Sequence, residues 1–352
     1  MKTVYSADHF LHRSPGEVYL GEYVPAFEKP ERAELVLARV REVGLGEVIT
    51  PEVFPLSAIT LVHTPGLVEF LQGAHAQWVA MGRTGAAAPG TWMTRGMRQD
   101  RIPAGLDGRL AYYGFDCGTP ITQTTWTAVK SSADVALTGA AMLSAGAASV
   151  FSLCRPPGHH AGSDHYGGYC FLNNAAIAAQ KLRDDGARRV AILDIDYHHG
   201  NGTQQIFYTR EDVLFVSLHG HPDEEYPYLL GYEDEQGAGA GVGFNLNLPL
   251  NWGTDWAGWS GALETGLARI AAYRADAIVV SLGVDTYKDD PISHFLLEHS
   301  HFSQIGACIA SLGRPTLFVM EGGYAVAEIG INAANVLTGF EGAGCRAKPQ
   351  PV

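Results

Sequence analysis

From residue 149 onward, five short runs are apolar at nearly every position: 149–154, 190–196, 213–218, 277–285 and 315–320. A strand with one face in water alternates polar and apolar residues. These runs do not alternate, so both of their faces must be buried. Helix-patterned stretches separate them at 173–185, 254–273 and 303–312, with 125–145 before the first run and 327–337 after the last. Strands alternating with helices predict a mostly parallel β-sheet carrying helices on both faces, an α/β fold. Residues 1–6 read as a first strand and 32–43 as a helix. The segment 82–103 reads as one long loop, of a length that is often functional. With no internal repeat and no linker, the chain reads as a single domain over 1–342, followed by a disordered tail over 343–352.

An open parallel sheet binds ligands beyond the carboxyl ends of its strands. Each run here ends in polar chemistry. The first leads into R-P-P-G-H-H and its adjacent His159 and His160. The second, V-A-I-L-D-I-D-Y-H-H-G-N-G, delivers Asp194, Asp196, His198 and His199. The third ends at Ser217 and His219, the fourth at Asp285 in S-L-G-V-D, and the fifth at Tyr324 in E-G-G-Y. An unpaired carboxylate at the end of a buried strand is costly, and a divalent metal offsets that cost. Asp196, His198 and Asp285 offer one imidazole and two carboxylates and leave positions open for water and substrate. Such a set suits zinc, with iron(II), manganese and cobalt chemically admissible.

The net charge of −13 argues against nucleic acid as a partner, since phosphate backbones reward Lys and Arg. No run is long and apolar enough to span a bilayer, so no membrane partner is expected. The five cysteines form no CxxC pair and are odd in number. They point to a reducing, cytoplasmic setting, with Cys154 and Cys170 as buried small hydrophobes.

In this order and spacing, R-P-P-G-H-H, D-I-D-Y-H-H-G-N-G, S-L-G-V-D and E-G-G-Y resemble the arginase/deacetylase fold family. Within that family the chain is most similar to bacterial acetylpolyamine amidohydrolases and histone-deacetylase-like amidohydrolases. The resemblance implies one catalytic zinc per subunit on Asp196, His198 and Asp285. It implies His160 as general base and then general acid, and His159 as an electrostatic assistant. Asp194 and Asn201 would be hydrogen-bond partners of His159 and His160 respectively, and Tyr324 would polarise the scissile carbonyl. A structural monovalent cation, potassium, would use Asp194, the Ser217 hydroxyl and backbone oxygens of Asp196, His198 and Leu218. Gly168, Tyr169 and Tyr226 match the walls of a substrate tunnel, and Asp116 resembles a rim aspartate that holds substrate amides. Gly118 stands where some relatives place a glutamate that meets a distal ammonium, which weakens the case for strict polyamine specificity. The loop 82–103 resembles an insertion that narrows the active-site mouth and joins a homodimer.

The function expected is therefore zinc-dependent hydrolysis of the acetyl amide of small cationic acetylated amines, acetylpolyamines foremost. The alternatives are a deacetylase of acetyl-lysine peptides or proteins, a binuclear manganese ureohydrolase, and a non-catalytic scaffold. Asn201 stands where a second metal would want another acid, and the intact set of site residues argues against a decayed enzyme. The cluster Asp223, Glu224 and Glu225 reads as an exposed charged loop.

Overall fold

A computed structural model describes residues 1–346. In chain order the strands are β1 (Lys2–Val4), β2 (Glu17–Tyr19), β3 (Glu22–Val24), β4 (Val48–Ile49), β5 (Ser149–Ser152), β6 (Val190–Asp194), β7 (Val213–Gly220), β8 (Asn245–Leu250), β9 (Ala277–Leu282) and β10 (Thr316–Met320). The helices are α1 (Glu31–Glu42), α2 (Leu56–Ile59), α3 (Pro65–Ala80), α4 (Leu106–Tyr113), α5 (Thr125–Ser144), α6 (Asn174–Asp184), α7 (Asn201–Phe207), α8 (Trp256–Tyr273), α9 (His299–Ala310) and α10 (Ile329–Arg346).

Eight strands form one parallel sheet in the order β4-β1-β5-β10-β9-β6-β7-β8, and β2 and β3 form a separate antiparallel hairpin. Every position of β6, β7, β9 and β10 is buried, as their unalternating sequences require. Successive residues of a strand face opposite sides. Val150, Ile192, Phe215, Val279 and Leu317 therefore pack with α3, α5 and α6 on one side. Phe151, Leu193, Val216, Val280 and Phe318 pack with α1, α8, α9 and α10 on the other. Register then aligns the strand ends: Asp194 pairs with Ser217 of β7 and Ser281 of β9, and Met320 pairs with Leu282. The residues just beyond these pairs emerge along one edge of the sheet.

Local chemistry accounts for where the structure differs from the sequence reading. Helix α9 begins at His299 rather than residue 303, because Glu298 and His301 cap each other reciprocally, with histidine in a role usually taken by Glu or Gln. Helix α3 starts at Pro65, where the Thr64 hydroxyl caps the Leu67 amide and proline fits the first turn. Strand β8, N-L-N-L-P-L, alternates because it is a half-buried edge strand, where Pro249 is tolerated. The tail expected over 343–352 needs correction. Helix α10 continues past Gly342 to Arg346, and 347–352 lie outside the described residues.

That packing depends on two glycines. A Cβ on Gly306 would run into the Val336 carbonyl, and one on Gly339 into the Ser303 carbonyl. Gly306→Ala should therefore destabilise the fold by about 1–3 kcal/mol through overpacking. The check is a lowered thermal midpoint, with metal content at low temperature unchanged because the helix pair lies away from the strand ends that carry the site.

Candidate active site

The polar residues predicted at the strand ends do meet. Asp196 and His198 follow β6 and Asp285 follows β9, and one ligand atom from each lies within 4.8 Å of the others. His198 Nδ1 is 3.4 Å from Asp196 Oδ1 and 3.3 Å from Asp285 Oδ2. All three residues are buried. Backbone amides fix both carboxylates: Gly322 N donates to Asp196 Oδ2 (2.7 Å), His198 N to Asp196 Oδ1 (2.9 Å) and Tyr197 N to Asp285 Oδ1 (2.8 Å). Asp285 Oδ2 is buried and has no hydrogen-bond donor.

Electrostatics show what this triangle is suited to hold. Burial works to neutralise each group, yet Asp196 is held below the usual carboxylate range by His159 and His198. Asp285 is pushed up to about 6, by burial first and then by the charge of Asp196. Burial disfavours a charged His198, but Asp196 and Asp285 overcome this and keep its proton on. The two carboxylates thus demand a positive charge between them. A divalent metal on one nitrogen and two oxygen donors meets that demand and occupies the orphaned Asp285 Oδ2.

Beside the triangle stand His159 and His160, with ring centroids 4.0 Å apart. Their partners differ in kind. His159 Nδ1 bonds the Asp194 carboxylate at 3.0 Å, and His160 Nδ1 bonds the amide oxygen of Asn201 at 2.7 Å. The Asn201 amide nitrogen donates to the His160 carbonyl, so its Oδ1 must face the ring. Burial would lower both imidazoles, but Asp196 and Asp194 raise His159 to about 10. Burial, reinforced by His159 and His198, takes His160 well below the ordinary range. The pair is split into a cationic member and a neutral member whose Nε2 is free to accept a proton.

Tyr324 lies beyond β10 on the Gly322-Gly323 turn and is buried. Its turn is pinned by Asp290, whose Oδ2 accepts the Tyr324 amide (2.7 Å) and the Ala325 amide (3.0 Å). Asp290 was missed in the sequence, where D-D-P reads only as a turn. Glu321 was missed too. Its Oε2 accepts the Gly158 and His159 amides (2.6 and 3.2 Å), tying the histidine loop to β10, and burial pushes it up to about 8.

A cleft of about 480 Å³ runs from His160, His198 and Tyr324 to the surface. Gly168, Tyr169, Tyr226 and Asp116 all line it, as does the β2–β3 hairpin through Val18, Tyr19 and Leu20. Its carboxylates are Glu17, Asp116, Glu224 and Glu225, and its lining includes no Lys or Arg. Glu225 departs from the expectation of an exposed charged loop. It is buried, and its Oε1 accepts Trp252 Nε1 (2.5 Å) and His294 Nδ1 (2.8 Å). None of the loop 82–103 lines the cleft of its own chain. It runs instead beside α3 and α4, held by the Trp78 indole on Thr84 and by a bridge from Ala87 to Ile121. His199, next to the metal-set histidine, turns away to Asn247 and His219 and lies outside the triangle. Cys154 and Cys170 are buried, as expected, and burial raises both thiols well above their ordinary range.

Fold and site together define a class: a hydrolase of α/β architecture with a divalent-metal site at the carboxyl edge of a parallel sheet. The histone deacetylase domain family matches residues 26–340. Acetylpolyamine amidohydrolase 2 of Pseudomonas aeruginosa is 60% identical over 97% of this chain and 99% of its own length. Acetylpolyamine amidohydrolase of Mycoplana ramosa is 50% identical over 97% of this chain and 100% of its own. A crystal structure of acetylpolyamine aminohydrolase from Burkholderia pseudomallei superposes with a TM-score of 0.93 at 38% identity, covering 97% of this chain and 99% of that one. The chain belongs to the histone deacetylase family and is an amidohydrolase of it.

If the triangle holds a divalent ion, chelation should lower the thermal midpoint. A ligand confined to the folded state stabilises it by about 4 kcal/mol at a thousandfold excess over Kd. Asp285→Asn should erase most of the difference between metal-loaded and chelated protein. The chelated variant should be no less stable than chelated wild type, since one buried charge is gone. Denaturation with and without chelator, alongside metal content, checks both.

Proposed function

We propose that this chain hydrolyses the acetyl amide of small acetylated amines, acetylpolyamines foremost, to acetate and free amine. The observation that carries the reading is the cleft itself: two tyrosine walls, four carboxylates and no Lys or Arg, ending at His160, His198 and Tyr324. Facing rings suit a methylene chain and carboxylates suit a cation, which matches the substrate in the names of the relatives. Asp196, His198 and Asp285 would hold zinc, one per subunit. When bound there, zinc supplies Lewis-acid polarisation of the amide carbonyl and makes a water more acidic. Neutral His160 takes the proton of the attacking water at Nε2, while Asn201 fixes its ring by accepting from Nδ1. The same proton then passes to the leaving amine. His159, kept cationic by Asp194, balances charge beside it. The Tyr324 hydroxyl donates to the oxyanion that develops on the carbonyl.

Asn201 spends its oxygen on His160, so it adds no carboxylate for a second metal and the mononuclear reading is favoured over a ureohydrolase. The potassium ion would lie where Asp194 and Ser217 pair across β6 and β7. Four unpaired cysteines among the described residues suit a reducing cytoplasm. No helix among the described residues is long and apolar enough to cross a membrane. Exposed Trp92, Met93, Met97 and Ile102 on the loop 82–103 would be covered in a homodimer, where the loop could reach the partner's mouth.

Two tests follow. Tyr324→Phe should keep zinc and leave KM nearly unchanged, while kcat on acetylputrescine falls by about a hundredfold or more. A raised KM with intact kcat would contradict the role given to Tyr324. Shortening the loop 82–103 should convert dimer to monomer in sedimentation and raise activity on acetylated proteins more than on acetylputrescine.

A further inference from the structure

Asp116 lines the cleft, yet its carboxylate is fully engaged. Oδ1 accepts the Gly118 amide at 3.0 Å and the Thr119 hydroxyl at 3.2 Å. Oδ2 accepts the Gly168 amide at 2.6 Å and the Tyr226 hydroxyl at 2.8 Å. A carboxylate offers about four acceptor positions, and four donors occupy them. The Thr119 hydroxyl in turn accepts the Tyr169 amide at 2.8 Å. Asp116 and Thr119 therefore pin both amides of the Gly168-Tyr169 wall. That wall needs pinning: both residues have positive φ, 57° and 66°, and for Tyr169 this region costs about 1–2 kcal/mol.

The opposite wall hangs from the same atom. Tyr226 stands edge-on to His160 with ring centroids 5.1 Å apart, and its hydroxyl reaches across to Asp116 Oδ2. The clearance is small. A Cβ on Gly168 would come within 3.0 Å of the Tyr226 hydroxyl and would collide with the His160 ring.

We infer that Asp116 and Tyr226 form a latch that sets the bore of the cleft, and that this latch selects thin aliphatic amines over peptides. Asp116 is a positioning residue, acting through Gly168 and Tyr226. It has no acceptor left for a substrate N–H, so a peptide that brings backbone N–H groups to the mouth finds them unmatched there. A methylene chain brings none and loses nothing. This rests on the reading of the site as an acetylamine hydrolase. It reverses the expectation that Asp116 itself grips substrate amides.

Tyr226→Phe keeps the ring and removes only the hydroxyl. The bond across the cleft is lost, one Oδ2 position facing the cleft is freed, and the bore can widen. The measurement is kcat/KM on acetylputrescine and on a short acetyl-lysine peptide, for wild type and variant at matched metal content. The ratio of amine to peptide should fall by about tenfold, the size expected when a hydrogen bond to a charged group is exchanged. The fall should come mainly from a lower KM for the peptide. Equal losses on both substrates, with the ratio unchanged within about threefold, would mean that the hydroxyl only steadies the ring over His160, and would overturn the latch. A wild-type chain that already takes the peptide as well as the amine would also overturn it, while amide hydrolysis stands. A wild-type chain that turns over no acetylated amine would instead sink the functional reading itself.

Discussion

Negative charge buried at the carboxyl edge of the sheet is the constraint on which this structure turns. Asp194, Asp196, Asp285, Asp290 and Glu321 are all nearly inaccessible to solvent. An isolated buried ion costs several kcal/mol even after relaxation. Each of these carboxylates is met by amides of a loop that must bend to reach it. Asp194 Oδ1 takes the Asp196 amide, Asp196 takes Gly322, Asp285 takes Tyr197, and Asp290 takes Tyr324 and Ala325. The carboxylates therefore shape the loops as much as the loops place the carboxylates. The same crowding explains the glycines in the motifs. A side chain at Gly200 would meet Asp194, and one at Gly283 or Gly322 would meet Asp196.

Charge is also balanced further out. Glu28, Arg32 and Arg155 form a buried ion network. Arg32 donates to the carbonyls of Glu321 and Gly323, both at 2.6 Å, and lies over the Tyr324 ring at 4.7 Å. Arg155 leads the histidine loop and donates to the carbonyls of His9 and His12. One acidic residue thus holds two arginines, which between them brace the histidine loop and the Tyr324 turn. Buried ion pairs contribute little net stability, because desolvation offsets their attraction. Their use here is positional: the bonds to carbonyl oxygens fix the histidine loop and the Gly322-Gly323 turn in place.

The sheet was legible in the sequence because burial on both faces removes alternation, which leaves a signal in every residue of β6, β7, β9 and β10. The histidine pair and the Asp-His-Asp triangle were legible because each stands within a few residues of such a run. Asp290, Glu321, Glu28 and Arg32 were not. They act by hydrogen bonds to backbone groups in distant segments, and a bond from Arg32 to Gly323 leaves no mark on local pattern. Asp116 was noticed, but its engagement was not legible for the same reason, since its partners Gly168 and Tyr226 are 52 and 110 residues away. Residue type announces what a side chain can accept, but not whether its lone pairs are already taken.

That distinction bears on how the cleft recognises its substrate. A hydrogen bond needs a free lone pair at contact distance, whereas a charge acts through its field over several ångströms. Asp116 accepts from two backbone amides and two hydroxyls, and Glu225 accepts from the Trp252 indole and the His294 ring. Burial outweighs the four donors at Asp116 and pushes its carboxyl above the usual range, the donors offsetting it only in part. A carboxylate whose lone pairs are engaged in this way can act on a cation through its field while offering little to bind it at one fixed point. On the function proposed, a cleft built this way would draw in an amine by charge and hold its methylenes between Tyr169 and Tyr226, without measuring where the far nitrogen lies. Gly118 fits that reading: no side chain projects there to fix the length of the chain, so on the function proposed amines of several lengths would share one site.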